Sequence, residues 1–124
     1  MKLWELWYAD FPFEETKQTK CRPVIILNMQ PIQILTIKVT SHSPRKNDIY
    51  DTPIIKWRQA GLKRPSVARI SKTMALDKNK FKNKIGELQQ SDIAQIQINY
   101  LKYLTDQMVD NGNIEEDKEV VNSR

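Results

Sequence analysis

Apolar and polar positions come in short bursts over most of the chain and settle into a helical stripe only near its end. Residues 3–9, Leu3-Trp4-Glu5-Leu6-Trp7-Tyr8-Ala9, are rich in aromatic and aliphatic side chains and predict a first strand, ended by Asp10 with Pro12 soon after. Residues 11–20 keep neither a helical nor a strand period and predict a loop of the kind that carries binding or catalysis. Val24-Ile25-Ile26-Leu27 is the densest apolar run, and its length and β-branching predict a strand buried on both faces. Pro23 is placed to open that strand, where a missing N–H is tolerated, and it biases Arg22 toward an extended conformation at the strand's mouth.

Residues 29–31 read as a turn and 32–39 as a third strand. Its inner part alternates, with Leu35, Ile37 and Val39 on one face and Thr36, Lys38 and Thr40 on the other, so Thr40 leaves the strand on its polar side. Residues 41–48 form a polar turn region, 52–57 a fourth strand that tolerates Pro53 at an edge or at its start, and 59–65 a further turn. A fifth strand over 66–71 puts Ala68 and Ile70 on one face and Val67, Arg69 and Ser71 on the other, aiming Arg69 out of the core. A helical turn near 77–81 and a last strand over 84–88 follow. Ser91 then caps a helix whose apolar stripe runs through Ile93, Ile96, Tyr100, Leu101, Leu104 and Met108 until Asn111-Gly112-Asn113 ends it. Several short strands closed by one helix predict a mainly β fold, a small, strongly curved sheet or barrel.

At 124 residues the chain fits one domain, expected over 1–109, with an acidic tail over 110–124 that lacks the apolar content to fold. Charge changes the picture more than composition does. The sequence pI is near 9.4, and residues 56–84 hold ten basic side chains against Asp77 alone. The tail balances two basic residues against five acidic ones. A basic surface of this size points to a polyanion, nucleic acid before membrane, while a solvated lysine face would read the same way. The single cysteine, Cys21, forms no internal disulfide, and no apolar run is long enough to span a bilayer, so a cytoplasmic protein is expected.

One Cys and one His cannot supply a structural metal site, no strand-turn-helix nucleophile elbow accompanies His42, and three glycines make no phosphate-cradling loop. Arg22, Thr40, Ser41, His42 and Arg69 remain. Cations and hydroxyls of this kind suit cleavage of a phosphodiester, because they neutralise charge on the phosphoryl oxygens; in RNA the substrate's own 2′-OH can be the nucleophile.

The succession Cys21-Arg22-Pro23-Val24-Ile25-Ile26-Leu27, Ile37-Lys38-Val39-Thr40-Ser41, Ser66-Val67-Ala68-Arg69-Ile70-Ser71, Met74-Ala75-Leu76-Asp77 and Lys84-Ile85-Gly86-Glu87-Leu88 resembles the PemK/MazF family, the toxins of type II toxin-antitoxin systems. The resemblance implies an SH3-like β-barrel of the PemK/CcdB kind with a C-terminal helix. It also implies a homodimer that cuts single-stranded RNA without metal or other cofactor, and a cognate antitoxin. By the same resemblance Arg22, Thr40 and Arg69 are the catalytic set, Arg69 matching a second arginine used as acid or charge stabiliser in some members, and Lys20, Ser41, His42 and Ser71 are expected to bind substrate. Ser71 stands where some members carry a catalytic aspartate, which leaves the proton acceptor to Arg22, His42 or water. The first loop lacks the family's usual glycine-rich run. A non-catalytic toxin of the same fold acting on a protein such as gyrase, or a nucleic-acid-binding barrel without catalysis, are the other readings.

Overall fold

The computed structural model describes residues 1–12 and 18–110. Among them, six strands and one long helix follow the order β1 (Glu5–Pro12), β2 (Thr19–Met29), β3 (Gln33–Thr40), β4 (Asp51–Ile54), β5 (Ser66–Asp77), β6 (Phe81–Glu87) and α1 (Gln90–Asp110), with a 3₁₀ turn at Lys78–Lys80 between β5 and β6. The strands form one antiparallel sheet in the order β4-β5-β3-β2-β1-β6. The expected architecture, mainly β with a terminal helix, is therefore present. Its sheet is open, with β4 and β6 as edges, so hydrogen bonds do not close the barrel. The expected acidic tail beyond Asp110 lies outside the described residues.

Several boundaries move because pairing, not local period, ends a strand. β1 starts later than expected and continues through Asp10, Phe11 and Pro12, which pair with Cys21, Lys20 and Thr19. Both ends of the expected first loop are thus part of a hairpin ladder, and residues 13–17 between them lie outside the described residues. Pro23 does not open β2 but lies inside it, opposite Tyr8. The β2–β3 ladder runs from Val24 onward, so a residue without an N–H occupies the stretch where that side of the strand is open. β4 stops at Ile54, short of the expected 57, and β5 extends to Asp77 instead of ending at Ser71. Between the pairs Ile37↔Thr73 and Lys38↔Arg69, β5 carries Ile70, Ser71 and Lys72 with no counterparts on β3. This wide bulge, closed by the Thr73 hydroxyl donating to the Ile70 carbonyl at 2.6 Å, bends the long strand and lets the sheet curve.

The curvature brings the edges together. After β4 the chain turns over residues 55–61, and a Cβ on Gly86 of β6 would sit 2.1 Å from the Ala60 carbonyl oxygen. Gly61, at φ +96°, makes the turn itself. Inside the curl, Leu6, Ile25, Ile37, Val39, Ile54, Ala68 and Ile70 pack against Ile93 and Ile96 of α1. Each aliphatic side chain fully buried there contributes about 1.5–3 kcal/mol. A smaller cluster of Ala9, Phe11, Val24 and Leu76 lies on the opposite face.

The helix begins at Gln90, with the Gln89 carbonyl accepting from the amides of Asp92 and Ile93, so Ser91 lies within its first turn rather than capping it. Buried Asp92 instead reaches across to accept from the amides of Ile55 at 3.0 Å and Lys56 at 2.9 Å, pinning the turn after β4. Ile93 and Ile96 are buried and Tyr100 and Tyr103 pack against the core, whereas Leu101, Leu104 and Met108 of the expected stripe are exposed. No helix among the described residues is long and apolar enough to cross a membrane.

Glu5 opens β1 as a buried carboxylate. Burial opposes its ionisation, but hydrogen bonds from the Trp7 indole, Lys84 and the Lys2 amide outweigh that and bring its pKa from 4.5 down to about 2. A group depressed in the folded state stabilises fully above its unfolded pKa and loses that contribution as pH falls through the folded one. Thermal unfolding followed from pH 6 to pH 2 should therefore show a falling Tm, and Glu5→Gln should flatten part of that fall; an identical profile in the variant would remove Glu5 from the acid limb.

Candidate active site

Two antiparallel neighbours set the site. Val24 of β2 lies opposite Lys38 of β3, so Arg22 and Thr40, each two residues further on, share that face of the sheet. Lys38 lies opposite Arg69 of β5, and Arg69 opposite Asp51 of β4. Asp51, Arg69, Lys38 and Val24 thus form one row across four strands. It is the face turned away from α1, since Ile37, Val39, Ala68 and Ile70 point into the core beneath the helix.

Period two placed Arg69 on the correct face, out of the core beneath α1, yet it is not solvated there: it is 8% exposed, with Nη1 3.0 Å from Asp51 Oδ2. The segment between β3 and β4 folds back and brings Arg45 onto the same carboxylate. Asp51 accepts from the Arg45 amide at 2.9 Å and from its Nε and Nη2 at 3.0 Å each. Burial works against a charge on Asp51, yet the Arg45 hydrogen bonds and the two guanidinium charges hold its carboxyl below the usual range. Ser71 is engaged as well. Its hydroxyl donates to Asp48 Oδ2 and accepts from Arg45 Nη2 at 3.2 Å. A carboxylate therefore does stand beside position 71, contributed by Asp48. Both its oxygens are occupied, Oδ1 by the Tyr50 amide at 2.9 Å and Oδ2 by Ser71 and by Arg45 at 2.7 Å.

At the end of β3, Thr40 Oγ1 is 3.0 Å from His42 Nδ1 and accepts from the His42 amide at 3.4 Å. In the tautomer protonated at Nδ1, the threonine oxygen accepts both bonds, its own proton is available to a phosphate oxygen, and Nε2 presents a lone pair. Arg22 is half-buried and pairs with Ala9 of β1. Ser41 is exposed just past the strand, and Lys20 is exposed opposite Phe11. A groove of about 300 Å³ opens beside Thr40, lined in part by His42, Pro53, Ile55, Trp57 and Val67.

Lys38 went unnoticed in the sequence beyond its place in the Thr36, Lys38, Thr40 face. It is half-buried, with Nζ 5.8 Å from the centre of the Phe11 ring. Burial, followed by the charges of Arg22, Arg69, Lys72 and Arg45, pushes its ammonium below the ordinary lysine pKa. Arg45, Asp48 and Asp51 were also missed, since nothing local marks a polar turn as the source of a buried ion-pair network. The basic stretch over 56–84 is dispersed: Lys82 meets Asp10 at 3.4 Å, Lys84 meets Glu5 at 2.9 Å, and Arg58 stacks 4.9 Å from the Trp57 ring. Among the described residues no three His, Cys, Asp or Glu side chains gather as metal ligands.

The model of the PemK-like, MazF-like toxins of type II toxin-antitoxin systems matches residues 2–103. The chain belongs to this family. Solved structures of similar fold include the Mycobacterium tuberculosis toxin MazF-mt6, at 20% identity and a TM-score of 0.63, covering 77% of this PemK-like chain and 91% of that one. An endoribonuclease solved with its cognate antitoxin, from a mycobacterial species, is 11% identical with a TM-score of 0.65, covering 85% and 95%. At these identities the likeness shows the shared fold. No curated protein sequence matches the chain.

In this PemK-like chain the buried pair predicts strong coupling. Asp51→Asn strands the Arg69 guanidinium and should cost about 3–5 kcal/mol in denaturant unfolding. Arg69→Met in the same background should recover part of that loss, with a coupling of about 1–3 kcal/mol. Additive losses would show that the two side chains act independently.

Proposed function

We propose that this protein is a toxin endoribonuclease that cleaves single-stranded RNA by attack of the 2′-OH on the adjacent phosphate, acts as a homodimer, and is neutralised by a cognate antitoxin. The observation that carries the reading is the grouping of Arg22, Thr40 and His42 at one end of a cationic sheet face in a chain of this family. The mycobacterial endoribonuclease solved with its antitoxin supports both the activity and the partner.

In this mechanism the Arg22 fork binds the non-bridging phosphate oxygens and strengthens its hold as charge builds on them. Thr40 donates its hydroxyl proton to the same group, and His42 Nε2 accepts the 2′-OH proton. The groove lined by Trp57 and Val67 offers an apolar wall to a base beside the scissile phosphate. Lys20 and Ser41 flank the path of the strand as substrate contacts. Arg69 contributes charge to the site through Asp51 and Lys38 rather than by touching the phosphate, which revises its expected catalytic role. The homodimer is supported by Ile98, Leu101, Leu104 and Met108, which α1 leaves exposed.

Purified protein incubated with labelled single-stranded RNA in EDTA should produce fragments ending in a 2′,3′-cyclic phosphate and a 5′-OH. Binding without cleavage would instead favour a plain nucleic-acid-binding domain, and neither would favour a toxin acting on a protein. Arg22→Ala should lower kcat far more than RNA affinity, and Arg22→Lys should fail to restore it because a point charge lacks the planar fork. Thr40→Ser should keep most activity, whereas Thr40→Val should lose about 10²-fold. In sedimentation at micromolar concentration the chain should run at twice its monomer mass; a pure monomer would refute the dimer.

A further inference from the structure

The scheme above leaves one proton unassigned. When the P–O5′ bond breaks, the electron pair remains on the 5′-oxygen, which must be protonated as it leaves. Arg69, at the position of an acid in some relatives, is not placed to give that proton here, because it is buried with Nη1 3.0 Å from Asp51 Oδ2, and Arg22 is engaged with the non-bridging oxygens. Asp48 and Asp51 cannot serve either, since their oxygens are taken up by bonds with Arg45, Arg69 and Ser71.

Resting on the nuclease reading, we propose that Lys38 is a catalytic residue, the general acid that protonates the leaving 5′-oxygen. Its placement carries the argument. Lys38 is on the face that bears Arg22 and Thr40, two residues before Thr40 and so about 7 Å from it along the strand, within reach of a lysine side chain. His42 lies two residues after Thr40 and bonds to it. The two groups that can exchange protons therefore flank the residue that contacts the phosphate, as an in-line displacement requires of its base and its acid. The Phe11 ring lies against the ammonium from β1. Arg22 faces it from β2, Arg69 and Lys72 from β5, and Arg45 from the segment before β4, with Asp51 beyond Arg69 in the row. Burial and these like charges make the proton easier to give up than that of an ordinary lysine, the direction a general acid needs.

The step balances. The 2′-OH proton passes to His42 Nε2 as the 2′-oxygen bonds to phosphorus. The P–O5′ bond breaks, and its electron pair takes the Lys38 proton, leaving a neutral amine. Solvent then reprotonates Lys38 and deprotonates His42, and the products are the cyclic phosphate and a 5′-OH.

The test compares ordinary RNA with RNA whose scissile 5′-oxygen is replaced by sulfur, a leaving group that departs without protonation. Lys38→Met should cut ordinary RNA about 10²–10⁴-fold more slowly than the unsubstituted protein, yet cut the thiolate substrate within about tenfold of it. Lys38→Arg retains the charge and guards against a folding defect; since a guanidinium gives up its proton far less readily than an ammonium, it should show the same split. The unsubstituted protein should also lose activity on ordinary RNA as pH rises through the lowered Lys38 pKa, a loss absent with the thiolate. Equal slowing of both variants on both substrates, in a protein that is otherwise active, overturns the assignment and leaves the nuclease reading intact. A protein inert to both substrates overturns the two together.

Discussion

The Asp51 carboxylate is where three separate pieces of chain are held together. It belongs to β4, an edge strand of four residues that backbone pairing alone would hold weakly. It neutralises Arg69 in the first third of β5, and it receives three bonds from Arg45 in the segment that follows β3. Removing two charges from water is costly, so the arrangement endures only because both oxygens of the carboxylate are fully used. Its consequence is positional. The segment carrying His42 is folded back against the sheet, and Arg69 is fixed in place beside Lys38.

That arrangement gives the sheet face its electrostatic character. Arg22, Lys38, Arg45, Arg69 and Lys72 are gathered there, with Asp48 and Asp51 set among them. A surface of this kind has its donors oriented before any phosphate arrives, so little reorganisation is needed when negative charge develops. The same crowding bears most heavily on Lys38, the cation at the centre of the row. The β5 bulge makes the crowding possible, because its extra residues turn Ser71 toward Asp48 and bring Lys72 near Lys38 while the strand bends.

Much of the fold could be read from local pattern. The apolar run of β2, the alternation along β3 and the separation of Ala68 and Ile70 from Arg69 all reappear as predicted, because a strand's two faces are set by a period of two whatever its partners. The helix was legible for the same reason at a different period. Its inner face was only partly so: Tyr103 packs inward while Leu104 and Met108 do not, and that choice depends on where Tyr50 and the sheet lie. Strand ends were least legible, since β1 and β5 continue wherever a neighbour offers hydrogen bonds.

By itself, then, the sequence determined the strand-rich class, the two faces of the strands, the family, and the candidate residues Arg22, Thr40 and His42, all of which are written in neighbouring residues. The tertiary structure alone decided which charges meet. Asp51 is separated from Arg69 by β4, a turn and the start of β5, and no local rule distinguishes it from Asp48 or Asp77 as the partner. Pairing across strands settled that Arg69 is buried, that the carboxylate beside Ser71 comes from Asp48, and that Lys38 stands among cations. Coulombic interactions and desolvation act through space, and the order of strands in the sheet fixes those distances.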